Sequence, residues 1–255
     1  MSGTEKGRTD DIDRLKRSVA GNKGDRVLVA ISGGVDSSVA ALLLKRRGYE
    51  VHTLTFWLWG YPGSPEYRGK ENACCSLGTA KMVADQLELP HHEVDLSSEF
   101  KTDVVDNAIE QYIKGVTPNP CARCNRLVRF DLLRNRANRM GFPLIATGHY
   151  VRLEEEDGLN YLLKGVDRRK DQSYFLYGLG QEELSGAVFP VGSYSKDEIY
   201  RIAEDEGLIT ANLEESQDLC FVPEGEYRKF LEREVPGRIE PGEIIDTEGK
   251  VLGEH

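Results

Sequence analysis

The sequence predicts an α/β protein organised around a doubly wound, mostly parallel sheet, and three observations carry that prediction. Residues 26–31, Arg-Val-Leu-Val-Ala-Ile, form a short β-branched run that reads as a strand buried on both faces. A turn with Gly33 and Gly34 follows, then an apolar stretch at 39–44 that closes in Lys45-Arg46-Arg47-Gly48. Basic residues in a last turn followed by Gly stop a helix. The same strand, turn and helix grammar recurs twice more, and consecutive βα units pair in parallel with ligands at the carboxyl ends of the strands.

Taken in order, residues 10–20 read as a short helix within a flexible extension, 1–24. After the first strand and the helix of 37–47, residues 49–56 form a second strand that runs into Trp57-Leu58-Trp59-Gly60. Residues 61–72 carry Pro, Gly and charge without periodicity and read as a loop, and the apolar spacing of 79–87 is helical. A third strand is expected at 92–95, then a long helix capped by Ser97 or Ser98 that continues to Lys114 and stops at Gly115. Pro118 and Pro120 push the residues before them toward extended geometry, so the next helix is expected only from about Leu127 to Met140. A fourth strand at 144–147 ends in Gly148-His149. Beyond it lie a hairpin at 150–163, a helix at 170–178, a capping box at Ser195 and Glu198 opening a helix to Glu206, a short helix at 226–234 and a hairpin at 243–251.

The 255 residues suffice for one large or two smaller domains. With 39% hydrophobic and 30% charged residues, and no apolar run near the ~18 residues of a membrane span, a cytoplasmic protein without membrane contact is expected. The net charge of −10 argues against a nucleic-acid partner, but residues 197–255 hold 17 acids against 6 bases and account for all of it. Between Cys121 and Met140 stand six arginines against the single acid Asp131, and Arg168-Arg169-Lys170 adds a second basic knot. A solvated helix face would also explain such clusters. Five cysteines, at 74, 75, 121, 124 and 220, argue for metal or catalytic use rather than a disulfide framework.

The central stretch is Ser32-Gly33-Gly34-Val35-Asp36-Ser37-Ser38. Glycines let the backbone approach a ligand, and free N–H groups at a helix start favour phosphate. It is neither a Walker A loop, lacking Gly-Lys-Ser/Thr, nor a dinucleotide fingerprint; an ordinary βα turn is the bland alternative. In its setting the string resembles the pyrophosphate loop of the ATP pyrophosphatase superfamily, which holds ATP while a substrate oxygen is adenylylated. Residues 117–125 (Thr-Pro-Asn-Pro-Cys-Ala-Arg-Cys-Asn), 146–150 (Ala-Thr-Gly-His-Tyr), 170–176 (Lys-Asp-Gln-Ser-Tyr-Phe-Leu) and Cys220-Phe221 complete a wider pattern. With them the chain resembles the bacterial-type tRNA-specific 2-thiouridylases over roughly residues 26–255.

The resemblance implies an adenine nucleotide alpha hydrolase-like, Rossmann-like catalytic domain at 25–222, then the start of a small linker domain at 223–255. A β-barrel follows in that family, so a fragment or shortened form is expected. It further implies ATP with Mg2+ bound by Ala30, Ile31, Ser32, Gly33, Gly34, Val35, Asp36 and Ser37, with Phe56 at the adenine and Gly148 beside the nucleotide; simple core packing would equally explain Phe56. Asn119, Pro120 and Cys121 would face the target base, and Lys170, Asp171 and Gln172 would touch tRNA. The activity implied is ATP-dependent 2-thiolation of the wobble uridine, with sulfur supplied by a donor protein such as a cysteine desulfurase or sulfur carrier.

Cys124 and Cys220 are implied as the catalytic cysteines, with Asp36 grouped beside them. In one route a persulfide on Cys220 delivers sulfur, displaces AMP, and leaves a disulfide with Cys124. A thiolate beside Arg123 and Arg126 should be depressed in pKa and reactive. Many family members carry Asp where this chain has Cys121. Cys121, Cys124 and Cys220 are therefore also candidate ligands of a [4Fe-4S] cluster with one open iron; zinc would need a fourth ligand from elsewhere. Cys74 and Cys75 read as structural. Two rival functions stay open: a sulfurtransferase or ligase of the same superfamily acting on a small molecule, and a non-catalytic iron–sulfur or zinc protein.

Overall fold

A computed structural model describes residues 23–59, 76–213, 219–222, 227–238 and 241–254. The expected helix at 10–20, the loop at 61–72 and the pair Cys74-Cys75 lie outside the described residues.

Strand β1 (Arg26–Ala30) is central. Around it β2 (Glu50–Trp57), β3 (His91–Asp95), β4 (Leu144–Ala146) and β7 (Ala187–Val188) pair in parallel, in the order β3-β2-β1-β4-β7. The period of two sorts the side chains. Val27, Val29, Val51, Leu144, Ala146 and Val188 enter one buried cluster, with α1 (Val35–Arg47), α2 (Leu77–Gln86) and α6 (Lys196–Asp205). Leu28, Leu54, Phe56, Ile145 and Ala187 enter a second, covered by the helices at 97–113 and 120–139. Both faces are thus filled, as the sequence predicts. The antiparallel pair β5 (Val151–Glu156) and β6 (Leu159–Lys164) stands beside this sheet as its own two-stranded hairpin.

Several boundaries differ from expectation, each for a local reason. Helix α3 (97–113) is not capped by Ser97 or Ser98: its N-cap is Leu96, while the Ser97 amide and hydroxyl donate to Asp95 Oδ1 at 2.9 and 2.6 Å. Its middle, Lys101–Asp106, is π-helical. Helix α4 (120–139) starts seven residues earlier than predicted, because Pro120 sits at its first position, where a missing N–H does no harm. Asn119 caps it, its Oδ1 accepting from the Ala122 amide at 3.1 Å. The next stretch, Asn125–Leu132, is again π-helical. The predicted helix at 170–178 shrinks to a 3-10 turn, Ser173–Leu176, because Asp171 and Ser173 bond locally and compete with a helical backbone.

The capping box at Ser195 and Glu198 is present and opens α6. After α5 (Gln181–Ser185) and that helix come α7 (Tyr227–Glu234) and the hairpin β8 (Glu243–Ile245) and β9 (Val251–Glu254). Phe230 and Leu231 of α7 are buried in the second cluster, so its packing continues beyond residue 222. Among the described residues no helix is long and apolar enough to cross a membrane.

Candidate functional site

The strand order reverses between β1 and β4, which makes the carboxyl ends of those two strands the crevice where such sheets bind ligands. Residues 31–37 and 147–150 meet there. Ile31 is held by its amide to Leu54 O at 2.9 Å, and Thr55 Oγ1 donates to Ile31 O at 2.8 Å. Gly33 adopts φ +84°, and a Cβ there would stand 3.0 Å from Ser76 O and 3.2 Å from Thr79 Cβ. Only glycine suits both the dihedral and the space.

Ser37 Oγ shapes the turn by accepting from the Ser32 amide at 3.1 Å and donating to Gly34 O at 3.0 Å. Gly34 is the N-cap of α1, and no side chain caps that helix. Its first amides are therefore presented to whatever occupies the crevice, at the positive end of the helix dipole. A Cβ on Gly34 would meet only Ser32 Oγ, at 3.6 Å. Gly148 answers a different constraint: a Cβ there would lie 2.7 Å from the Ser37 amide nitrogen, so this glycine lets β4 close onto the first turn of α1.

Asp36 faces this crevice from the first turn of α1 and is held by residues far along the chain. Tyr150 Oη donates to Asp36 Oδ1 at 2.6 Å, and Lys196 Nζ to the same oxygen at 2.7 Å. The Lys196 side chain is 6% exposed and that of Asp36 29%. Lys196 was not singled out from sequence, because a lysine at the first position of a capped helix reads as a solvated charge. The only local hint was its place directly after the cap. Asp167 accepts from the Lys196 amide at 3.1 Å and the Arg169 amide at 3.0 Å, and the bond from Lys196 leads in holding its carboxyl below the usual range.

The 170–172 segment turns inward. Gln172 Oε1 accepts from the Tyr150 amide at 3.0 Å, and Gln172 N donates to Tyr150 O at 3.2 Å. Asp171 Oδ1 accepts from the Gly165 amide at 2.9 Å; burial opposes its ionisation, but that bond and the Ser173 hydroxyl outweigh it and keep the carboxyl below its usual range. Of the expected tRNA-contacting residues, Asp171 and Gln172 are thus engaged within the fold. Phe56 is buried in the second cluster.

Cys124 is buried in that cluster too, and Cys220 packs against it next to Phe221. Cys121 is half-buried in the first turn of α4. Cys124 and Cys220 thus lie on the same face of the sheet. Among the described residues no group of three or more His, Cys, Asp or Glu side chains is arranged to hold a metal ion. Arg123, Arg126, Arg136 and Arg139 are exposed along α4, and Arg123 Nε donates to Asp103 O. Asp131 is pushed upward in pKa by burial and then by Glu183.

Residues 25–224 match the family described as "tRNA methyl transferase HUP domain". The tRNA-specific 2-thiouridylase MnmA of Geotalea uraniireducens is 46% identical over 242 residues, covering 93% of this chain and 64% of that protein. MnmA 1 of Caldanaerobacter subterraneus is 47% identical over 236 residues, covering 91% and 65%. The chain thus spans just under two thirds of the length of these relatives. Among solved structures, the U34-tRNA thiolase NcsA from Methanococcus maripaludis with its [4Fe-4S] cluster superposes with a TM-score of 0.52 at 16% identity, covering 90% of this chain and 74% of that one. That likeness carries the fold alone.

Proposed function

This chain belongs to the tRNA methyl transferase HUP-domain family, and from that premise we propose that it is an ATP-dependent tRNA uridine 2-sulfurtransferase. Sulfur rather than methyl transfer is supported by the names of relatives at 46–47% identity. The observation that supports the reading is that Cys124 and Cys220 lie on the same packed face of a sheet whose first strand leads into an uncapped, glycine-rich helix start.

In this reading the uncapped amides of α1 and the Gly33-Gly34 backbone hold the pyrophosphate of ATP. The uridine O2 attacks the α-phosphate and pyrophosphate leaves, so that a poor leaving group becomes AMP. The terminal sulfur of a Cys220 persulfide then attacks C2 and expels AMP. Cys124 thiolate attacks Cys220 Sγ, which releases the thiolated uridine and leaves a Cys124–Cys220 disulfide for an external two-electron reductant. Asp36 would be the carboxylate to face a magnesium ion bound with the nucleotide, which would supply charge neutralisation at the phosphates. The persulfide comes from a sulfur-donor protein, and tRNA lies along the exposed arginines of α4 and Arg168. The alternative route, with Cys121, Cys124 and Cys220 as the three thiolates of a [4Fe-4S] cluster whose open iron carries the sulfide, would need the same two cysteines and Cys121 besides.

The test is a reaction with tRNA, ATP and a persulfide source, read as AMP release and as 2-thiouridine by mass spectrometry. Cys124→Ser and Cys220→Ser should each stop thiolation while AMP release persists. Full thiolation by Cys124→Ser would overturn the mechanism.

A further inference from the structure

We propose that Tyr174 and Tyr177 form a stacking platform for the unpaired bases that flank the reacting uridine in a single-stranded RNA loop. The inference rests on the sulfurtransferase reading above and extends it to residues outside the reacting centre. Tyr177 is 77% exposed, more than any other large apolar side chain among the described residues, and Tyr174 is 62% exposed. One exposed ring is unremarkable on a soluble protein. Two at a spacing of three are different here: Tyr174 lies in the 3-10 turn Ser173–Leu176, and Tyr177 is its C-cap residue with helical φ −58° and ψ −22°, so the turn geometry, in which i and i+3 share one face about 6 Å apart along the axis, carries through to it. Leu176 is buried and anchors that turn. Phe175 tilts against Tyr174 with ring centroids 5.0 Å apart, which packs that ring against a neighbour.

Two contacts tie the platform to the cysteine helix. Asn119 Nδ2 donates to Tyr174 Oη at 2.6 Å, while Asn119 Oδ1 caps the first turn of α4, where Cys121 and Cys124 lie. A Cβ on Gly178, the residue after Tyr177, would lie 3.2 Å from Cδ of the exposed Arg126. The turn that carries the two tyrosines is thereby packed against the start of α4 and the stem of Arg126. Flat aromatic faces next to arginine match splayed RNA bases joined by phosphates, since stacking tolerates any base and arginine takes the backbone.

The test uses the full chain and an RNA hairpin whose loop carries the target uridine with 2-aminopurine as its neighbour. Wild-type protein should bind and quench the fluorophore. Tyr174→Ala and Tyr177→Ala should each weaken binding by about tenfold and reduce the quench, with the salt slope unchanged, whereas Tyr174→Phe should retain the quench. Urea midpoints equal to wild type would confirm that these exposed positions leave the fold intact. If wild type binds and both alanine variants match it in affinity and quench, the platform is refuted while the sulfurtransferase reading stands. If wild type fails to bind the hairpin, both fall. Weaker binding with a changed salt slope and an unchanged quench refutes stacking.

Discussion

Removing either end of the Lys196–Asp36 pair should destabilise the protein, but by unequal amounts. The two charges lie 2.7 Å apart, with the lysine side chain 6% exposed and the aspartate 29%. Lys196→Met keeps the unbranched stem and leaves Asp36 with solvent access and its bond from Tyr150. That loss should amount to about 1–2 kcal/mol, near the range of a hydrogen bond to a charged group. Asp36→Asn instead takes the carboxylate away from a lysine side chain that is only 6% exposed, and truncating one partner of a buried pair costs about 3–5 kcal/mol. At roughly 2–4 °C per kcal/mol for a chain of this size, melting should fall by about 2–8 °C for the first variant and about 6–20 °C for the second. Urea titration at constant m-value gives the two free energies directly. The double variant should cost less than the sum of the single ones, since the residues touch. If Lys196→Met proved as damaging as Asp36→Asn, or the effects simply added, the burial argument would be wrong.

Gly34→Val should fold normally and lose ATP binding by calorimetry, because its Cβ has room but its branches would fill the cradle. Gly33→Ala should instead lose about 1 kcal/mol or more of stability, with φ at +84° and Ser76 O at 3.0 Å; a stable Gly33→Ala would contradict the loop geometry. His91 is lowered in pKa by burial, and His52 by burial and then by His92. A depressed histidine leaves the unfolded chain holding more protons, so the stabilisation is complete above about pH 6.5 and declines as pH falls toward the folded values. Thermal melts from pH 7.5 to 5.5 should show that decline, and replacing both residues with Gln should flatten it.

The sheet was legible because its first strand is an unbroken, mostly β-branched run, Val27, Leu28 and Val29 being apolar toward both filled faces, and because glycines punctuate the helices. Gly48, Gly115 and Gly141 all adopt positive φ at the predicted stops. Strand β7 escaped notice because two residues, Ala187 and Val188, carry no period. Nothing in the residue pattern marks a π-helical stretch, and both interrupt helices that otherwise read as regular. At the site the loop was legible as a local string. The partners of Asp36 were not, because Tyr150 and Lys196 reach it only through tertiary folding, and a buried lysine has the same letters as a solvated one. The inward turn of Asp171 and Gln172 was hidden for the same reason.

The clamp on Asp36 also imposes an order on biosynthesis. Asp36 and Lys196 are separated by 160 positions, so at roughly 5–20 residues per second the ribosome needs on the order of 8–30 s to supply the lysine after the aspartate. For most of that interval β1, α1 and β2 have been made and can begin to pair, yet the acidic residue of the loop lacks its counter-charge. Strand β7, which completes one edge of the sheet, emerges only shortly before the lysine. The nascent chain therefore acquires its nucleotide loop early as a shape and late as a fully braced element. A ribosome stalled upstream of α6 would display a chain able to form much of the sheet while its loop remained slack.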